Sequence, residues 1–244
     1  MKQLMVSTRG TYDLHDGHSL EKYHAYNTIP ARRFNKVNNA EEITIFIHGM
    51  RNSRKGAQMG TNALRLKLRK MGYKYPVIGF SYDSDIRGAH IKSKYYDVVK
   101  IATKIAYVNG MNKLGLYIRD LLSVNPNIRI RLVGHSLGCI VIEGLVNTTS
   151  QFNMFPNNLF ESISLFGSPL EIDKVAKIAN SRNVKVVINH YNPKDTEIQM
   201  GVDKGDLIEP SCLVKTNDKK LKSKLIHAKD HRFKQQMKAL MSFP

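Results

Sequence analysis

The sequence predicts an α/β fold, in which helices cover both faces of a mostly parallel sheet of six or more strands. Short runs rich in Ile, Val and aromatic residues alternate with stretches that carry apolar residues at helical spacing, and this alternation is typical of a parallel sheet. The 244 residues are enough for one compact domain with a sizeable core. We therefore expect residues 1–244 to form a single domain.

The strands are predicted from short apolar runs. Residues 1–40 are polar and weakly patterned, which predicts an irregular lead-in with room for one or two short strands, so the core is expected to start at Ile43. From there on, strands buried on both faces should read as continuous apolar runs. Six segments fit this description: residues 43–47, 77–82, 128–133, 162–166, 184–189 and 211–215.

The helices are predicted from apolar residues spaced three or four apart. The spacing favours helices over residues 57–71, 111–123 and about 233–241, the last with Met237, Leu240 and Met241 on its inner face. Arg129 and Arg131 are unusual in a central strand. They fit if both lie near its amino-terminal edge, where long side chains can extend to solvent.

The most informative segment is Gly134-His135-Ser136-Leu137-Gly138. It follows the strand at 128–133 and precedes an apolar stretch, 139–146, that can continue as a helix. In such a strand, G-x-S-x-G, helix arrangement the serine occupies a strained turn that exposes its hydroxyl, and the glycines allow the strand and the helix to approach closely. The segment therefore predicts a nucleophile elbow with Ser136 as the nucleophile.

A second motif, His48-Gly49-Met50, follows the strand at 43–47. With the elbow, it makes the chain similar to the α/β-hydrolase superfamily, specifically to lipase and esterase-like members, from about residue 41 to the C-terminus. The resemblance implies an oxyanion hole formed by the backbone N–H groups of Met50 and Leu137, with Asn52 or Ser53 as additional candidates. It also implies catalytic residues in the order serine, acid, histidine, and no cofactor.

The acid and the histidine are sought downstream of Ser136. Asp195 lies in a loop beyond the strand at 184–189, where open α/β sheets keep their active sites, and similar hydrolases carry the acid there. Three rival acids are Glu197, Glu171 and Asp173. For the base, His231 is favoured over His227 because it directly precedes the terminal helix, as the catalytic histidine does in similar hydrolases.

The other histidines and the cysteines have structural interpretations. His48 and His135 are expected to shape their loops. His15, His18 and the nearby His24 are weak evidence for a metal site, and no metal is expected. Cys139 and Cys212 are assigned to the elbow helix and the last strand, and two thiols do not make a secreted disulfide framework. Both are expected to be free and buried.

The charge is strongly positive, with 38 Lys and Arg against 20 Asp and Glu, a net charge of +18. Residues 215–238 contain nine basic residues and two aspartates. The favoured interpretation is a well-solvated basic surface, and the alternative is weak binding of nucleic acid or of an anionic membrane surface through this basic segment. The sequence has no apolar run long enough to span a membrane and no extended signal core, so a cytoplasmic location is expected.

The substrate is less well defined by the sequence. Only residues 168–183 separate two strands, which argues against a large lid. Residues 83–110 contain an apolar stripe of Val98, Ile101, Ala102 and Ile105, interpreted as a core-facing helix, with a basic flap for lipids that have anionic headgroups as the alternative. The expected activity is hydrolysis of small ester or acyl-lipid substrates. Acyltransferase, thioesterase and a non-catalytic binding scaffold remain alternatives.

Overall fold

The computed structural model describes residues 3–20, 25–86, 95–205, 207–216 and 218–240. Its eight strands are β1 (Leu4–Ser7), β2 (Asn27–Ile29), β3 (Glu42–Ile47), β4 (Val77–Ser81), β5 (Arg129–His135), β6 (Phe160–Phe166), β7 (Val187–Tyr191) and β8 (Leu221–Leu225). Its helices are α1 (Asn35–Asn38), α2 (Arg54–Lys70), α3 (Tyr95–Val108), α4 (Gly115–Val124), α5 (Gly138–Gln151), α6 (Ile172–Asn180), α7 (Thr196–Asp203) and α8 (Phe233–Ala239).

All eight described strands form one sheet, in the order β2-β1-β4-β3-β5-β6-β7-β8. The pair β1 and β2 is antiparallel, and every other neighbouring pair is parallel. The chain moves from β3 to β4 on one side and then returns to place β5 on the other side of β3. Such a reversal of strand order opens a crevice at the carboxyl ends of the two strands.

The core lies on both faces of the sheet, which confirms the predicted fold class. On one face, Ile45 and Leu132 belong to a large buried cluster together with side chains of α3 to α6. On the other face, Phe46, Val133 and Phe166 pack with residues of α2 and α8. Within the described residues, no helix has the length and apolar character needed to cross a bilayer.

The amino-terminal segment contributes more to the core than the sequence indicates. Strand β1 lies inside the sheet, between β2 and β4, and its Met5 and Val6 are buried. The expectation that the core starts at Ile43 is therefore wrong. A strand of four residues is too short to produce a recognisable apolar period, so its place in the sheet depends on pairing with β4.

The last strand is also misplaced by the sequence. Residues 211–215 do not form a strand, because Ser211–Leu213 is a 3₁₀ turn, and the edge strand is β8, which contains two lysines. Cys212 therefore lies in this turn and not in the last strand. An edge strand needs little apolar surface, and in β8 Leu221 is the residue buried in the main core. The apolar run at 212–214 was therefore mistaken for the last strand.

The arginines of β5 lie near its amino-terminal edge, as expected, but the Arg131 side chain is only 15% exposed and does not extend to solvent. Arg129 and Arg131 occupy the amino-terminal half of β5 and both contact the buried carboxylate of Glu42, at Nε to O distances of 3.3 and 2.7 Å. The two cations neutralise a carboxylate that would be costly to bury alone.

Two helix predictions can be compared directly with the structure. In α3, Val98, Ala102 and Ile105 are buried in the main core, so the apolar stripe faces the core and is not the underside of a flap. Met237 of α8 and Leu240, which directly follows this helix, are buried in the core, as predicted. Met241 lies outside the described residues, as do Lys92 and Lys94, two of the lysines that made a basic flap the alternative interpretation.

Candidate active site

The turn between β5 and α5 holds Ser136 in a left-handed backbone conformation. Its φ is 53°, a region that residues other than glycine seldom occupy. The backbone N–H of Ser136 donates to the carbonyl of Phe166, at 2.9 Å, which ties the turn to the end of β6. Backbone strain of this kind is typical of functional sites, where the surrounding structure maintains it.

Glycines permit the close packing around this turn. A Cβ atom at Gly138 would lie 2.2 Å from the carbonyl oxygen of Ile47, and one at Gly134 would lie 2.9 Å from the Cδ1 of Ile142. A Cβ atom at Gly49 would lie 2.7 Å from the Cβ of Ser136. The end of β3, the serine turn and the start of α5 therefore approach each other at distances that only glycine allows.

Asp195 and His231 are hydrogen-bonded to each other. Asp195 follows β7 and is fully buried at the amino-terminal end of α7, and His231 lies between β8 and α8. The distance between Asp195 Oδ2 and His231 Nδ1 is 2.8 Å. The other carboxylate oxygen, Oδ1, accepts the backbone N–H of Ile198 at 3.3 Å. This arrangement orients the carboxylate and directs the Nε2 of His231 away from Asp195.

The electrostatic surroundings favour the charged form of His231. Burial by itself lowers the pKa of this histidine, but the hydrogen bond and the negative charge of Asp195 outweigh burial, and Glu197 and Asp230 act in the same direction. The pKa of His231 is therefore raised above its ordinary value. A histidine stabilised as a cation in this way is suited to accept a proton during a reaction.

Three residues that the sequence analysis did not single out for this purpose hold His231 in place. The Nε2–H of His135 and the Nε2–H of Gln236 donate to the carbonyl oxygen of His231, at 2.8 and 3.1 Å. Gly167 has a φ of 52°, and a Cβ atom there would lie 2.6 Å from the His231 Cε1. Gln236 and Gly167 belong to no local motif, so no sequence signal could have identified them.

Ser136 and His231 line the same cavity. Among the hydrogen bonds between described residues, none joins the Ser136 Oγ to the His231 ring. Hydrogen bonds of this kind are often long in the absence of a substrate and shorten when one binds. The structure therefore brings the predicted serine and histidine to one cavity, and shows a direct contact only between the histidine and the acid.

Met50 and Leu137, the predicted oxyanion donors, also line this cavity. Within the described part of the chain, neither backbone N–H donates a hydrogen bond to another backbone or side-chain group. Both N–H groups are therefore available to a negatively charged oxygen beside Ser136.

The Met50 loop is supported by a partly buried polar network that the sequence analysis did not identify. The Asn52 side-chain amide donates to the carbonyls of Gly49 and Met50, at 3.2 and 3.0 Å. Arg9, from the lead-in, donates to the Asn52 carbonyl and lies 3.4 Å from the Nε2 of His48. The Asn52 side chain therefore stabilises the loop through its two hydrogen bonds.

The other residues that the sequence offered as oxyanion donor, acid or base have different surroundings. Ser53 caps the amino-terminal end of α2, so neither it nor Asn52 is positioned as an oxyanion donor. Glu197 and Glu171 line the cavity, and Glu171 pairs with Lys174 at 2.9 Å. Asp173 and His227 are exposed and do not line the cavity. None of the rival acids contacts His231 directly.

His48 and His135 are both buried and neutral. Burial, with a smaller contribution from nearby Arg9 and His231, respectively, lowers the pKa of each to about 3. His48 stacks on the ring of Tyr82, with ring centroids 4.6 Å apart. Both histidines therefore shape the site, as the sequence analysis expects.

No candidate metal cluster of three or more ligands occurs among the described residues, and His24 lies outside them. Among the amino-terminal histidines, the His18 ring contacts the carboxylate of Asp16. Cys139 and Cys212 are both free and buried, as predicted.

The cavity beside Ser136 has a volume of about 660 Å³, a size typical of pockets for small molecules. Its walls come from α3, α5, the segment after β6, and α7 with the loop that follows it. Apolar side chains form much of the lining, including Val99, Ile140, Leu170, Ile198 and Leu207. The site can therefore accommodate an apolar group next to the serine.

No protein-family model matches the chain, and no curated protein sequence matches it.

Several solved structures are weakly similar. The catalytic core domain of an acetyl xylan esterase from Trichoderma reesei is 14% identical, covers 75% of this chain and 81% of its own, and gives a TM-score of 0.41. A cutinase from Trichoderma reesei is 15% identical over 75% of this chain and 77% of its own, with a TM-score of 0.38. A cutinase-like protein from Cryptococcus sp. is 13% identical over 76% of this chain and 75% of its own, with a TM-score of 0.34. Similarities this weak do not assign a function.

Proposed function

We propose that this protein, which has the strand and site arrangement expected of an α/β hydrolase, is a serine hydrolase that cleaves carboxylic esters. The observation that carries the proposal is the buried hydrogen bond between Asp195 and His231 at a cavity that Ser136 also lines. The three residues follow β7, β8 and β5, at the carboxyl ends of parallel strands, where open α/β sheets place their ligands.

In the proposed acylation step, Ser136 Oγ attacks the ester carbonyl and His231 Nε2 accepts the hydroxyl proton. Asp195 holds the imidazole in the correct tautomer and stabilises the imidazolium that forms. The N–H groups of Met50 and Leu137 stabilise the negative oxygen of the tetrahedral intermediate, for which each donor typically contributes about 3 to 4 kcal/mol. His231 then gives its proton to the leaving alcohol, and the acyl group remains on Ser136.

In the proposed deacylation step, the same residues act on water. His231 takes a proton from a water molecule that attacks the acyl-enzyme, and returns it to Ser136 Oγ as the carboxylic acid leaves. An alcohol in place of water would make the protein an acyltransferase, and a thiol leaving group would make it a thioesterase. Hydrolysis is preferred over acyl transfer because it needs no second binding site for an acceptor.

The apolar walls of the cavity favour an acyl group with an apolar chain over a fully polar one. The polar residues at the rim, among them Lys104, Glu171 and Lys174, are suited to contact the part of the substrate that remains near water. We infer that the substrates are small esters or acyl lipids.

The first prediction tests the nucleophile. Wild-type protein should be labelled by a fluorophosphonate at Ser136 and should hydrolyse short-chain aryl esters. Ser136→Ala should lose both properties while keeping its circular dichroism spectrum, because the hydroxyl supplies the covalent bond and little packing. A folded wild-type protein that resists the label, or a variant with activity within tenfold of wild type, would point instead to the non-catalytic scaffold.

A further inference from the structure

A second cavity lies at the opposite edge of the sheet from Ser136. Its volume is about 510 Å³, and Leu4 and Val77, the first residues of β1 and β4, contribute to its lining. Because β1 and β4 run parallel to β5, their amino ends and the serine turn lie at opposite edges. A ligand in this cavity would not occupy the catalytic site.

Five cationic side chains from three separate segments line this cavity. Arg65 and Arg69 lie one turn apart on α2, Lys74 lies in the loop before β4, and Arg33 and Lys36 lie in the turn and short helix after β2. Like charges brought together in this way repel each other. A negatively charged group bound between them would reduce this repulsion.

No Asp or Glu is among the described residues that line the cavity, and the ion pairs of the described chain do not include Lys36, Arg65, Arg69 or Lys74. The contrast with β5 is informative, because there Arg129 and Arg131 share the carboxylate of Glu42.

Two contacts orient the lining before any ligand binds. The Arg65 guanidinium donates to the Asn62 side-chain oxygen, at 2.6 Å, and the Tyr75 hydroxyl donates to Glu41, at 3.1 Å. The Tyr75 ring lines the cavity with Leu4, Pro76 and Val77. The cavity therefore combines a cationic rim with an apolar and aromatic floor.

We propose that this cavity binds a ligand that bears more than one phosphate group. Arginine guanidinium groups match phosphate oxygens through paired hydrogen bonds, and lysines add point charges. Several converging cations favour a ligand of higher charge than a single carboxylate. The same phosphate chemistry is available from a free polyphosphate compound or from the headgroups of an anionic membrane, and the experiment distinguishes the two.

The experiment measures binding of inorganic tripolyphosphate by calorimetry at physiological salt. It compares wild type with Arg65→Glu/Arg69→Glu and with a matched control, Lys219→Glu/Lys222→Glu. Lys219 and Lys222 are exposed, next to or within β8, at the far end of the strand order, and the two double variants change the net charge equally. The cavity variant should bind at least about tenfold more weakly, since charge-assisted hydrogen bonds are lost, and the control should bind like wild type.

The same three proteins are then sedimented with vesicles of phosphatidylglycerol and phosphatidylcholine. Loss of tripolyphosphate binding only in the cavity variant supports a free phosphate compound, and loss of vesicle binding only in that variant supports a headgroup. Equal losses in both double variants, or no binding of either probe by wild type, would overturn the proposal. Circular dichroism and unchanged hydrolysis of an aryl ester by the cavity variant would show that its fold is intact.

Discussion

At the residue scale, burial and local charge give three neighbouring histidines different protonation behaviour. Burial lowers the pKa of His48 and of His135 to about 3, so both are neutral near pH 7 and serve as hydrogen-bonding groups. His231 is also buried, but the hydrogen bond and charge of Asp195 raise its pKa. Of these three, only His231 is therefore placed to change its protonation state near neutral pH.

This difference predicts the pH dependence of activity. The base must be neutral to accept a proton, so kcat/KM should fall as the pH decreases through the raised pKa of His231. The acid limb should therefore lie above the ordinary histidine value of about 6.5. In Asp195→Asn the carboxylate no longer raises the pKa of His231, while burial still lowers it. The acid limb of the profile should therefore move to lower pH, and turnover should fall by about 10⁴. A pH-rate profile of both proteins on one aryl ester tests this, and an unmoved limb would assign the titration to another group.

The choice between the two candidate bases has its own test. His231→Ala should lower turnover by about 10⁴ to 10⁶, as loss of a triad base does, because no described side chain could take its place against Asp195. His227 is exposed and lies outside the cavity lining, so His227→Ala is the matched control and should retain activity close to wild type. Assays of both variants at saturating ester would show the difference. An inactive His227→Ala would mean that the loop before α8 follows another path.

At the element scale, the active site depends on how closely α5 approaches β3. A Cβ atom at Gly138 would meet the carbonyl oxygen of Ile47 at 2.2 Å, and neither backbone segment can move without displacing the serine turn. The helix start, the oxyanion loop and the nucleophile therefore form one rigid unit.

Gly138→Ala should consequently destabilise the protein by about 1 to 3 kcal/mol, the usual cost of overpacking, and should lower activity by displacing the Leu137 N–H. Gly115→Ala in α4 is the control, because the nearest atom to its added Cβ is the Leu145 Cδ1 at 3.7 Å. That variant should be more stable by about 0.5 to 1 kcal/mol, since glycine is unfavourable within a helix. Urea unfolding of both variants measures the two effects. Equal effects at the two positions would mean that α5 can shift away from β3.

At the scale of the whole molecule, the main feature is the net charge of +18. Some cations pair with acids, as at Glu42, but among the described residues no acid lines the cavity that contains Arg65 and Arg69. Self-repulsion of a large net charge destabilises the compact state. Salt should therefore affect this protein more than a protein of balanced charge.

We predict that Tm rises as NaCl increases from about 0.01 to 0.15 M, because the Debye length shortens from about 30 to about 8 Å. Each kcal/mol gained should raise Tm by about 2 to 4 °C for a chain of this length. Calorimetric scans over this range test it. Most of the rise should occur below 0.15 M, where the Debye length shortens most. General salting effects, by contrast, continue to grow at higher concentrations. A Tm that is flat at low salt would mean that the cations are already neutralised, for example by a bound anion.

The sequence by itself determined the features that are encoded locally. Buried strands produce continuous apolar runs, so β3, β4 and β6 were identified with small errors at their ends. The elbow was readable because a tight turn from strand to helix requires glycines at fixed offsets from Ser136. Asp195 was chosen because it follows a predicted strand and His231 because it precedes the terminal helix, both with the help of the resemblance. Their catalytic roles remain to be tested by the experiments above.

Only the tertiary structure decided the features that depend on contacts between distant segments. The lysine-rich β8 has too little apolar surface to be recognised as a strand, and β1 is too short. Arg9 lies 43 residues from Asn52, whose carbonyl it contacts, and Gln236 reaches His231 only because α8 packs against the sheet. The clustering of Arg65, Arg69, Lys74 and Lys36 follows from the packing of α2 and the 31–38 segment beside β4. Local spacing carries no information about such contacts, because they arise when the sheet brings remote residues together.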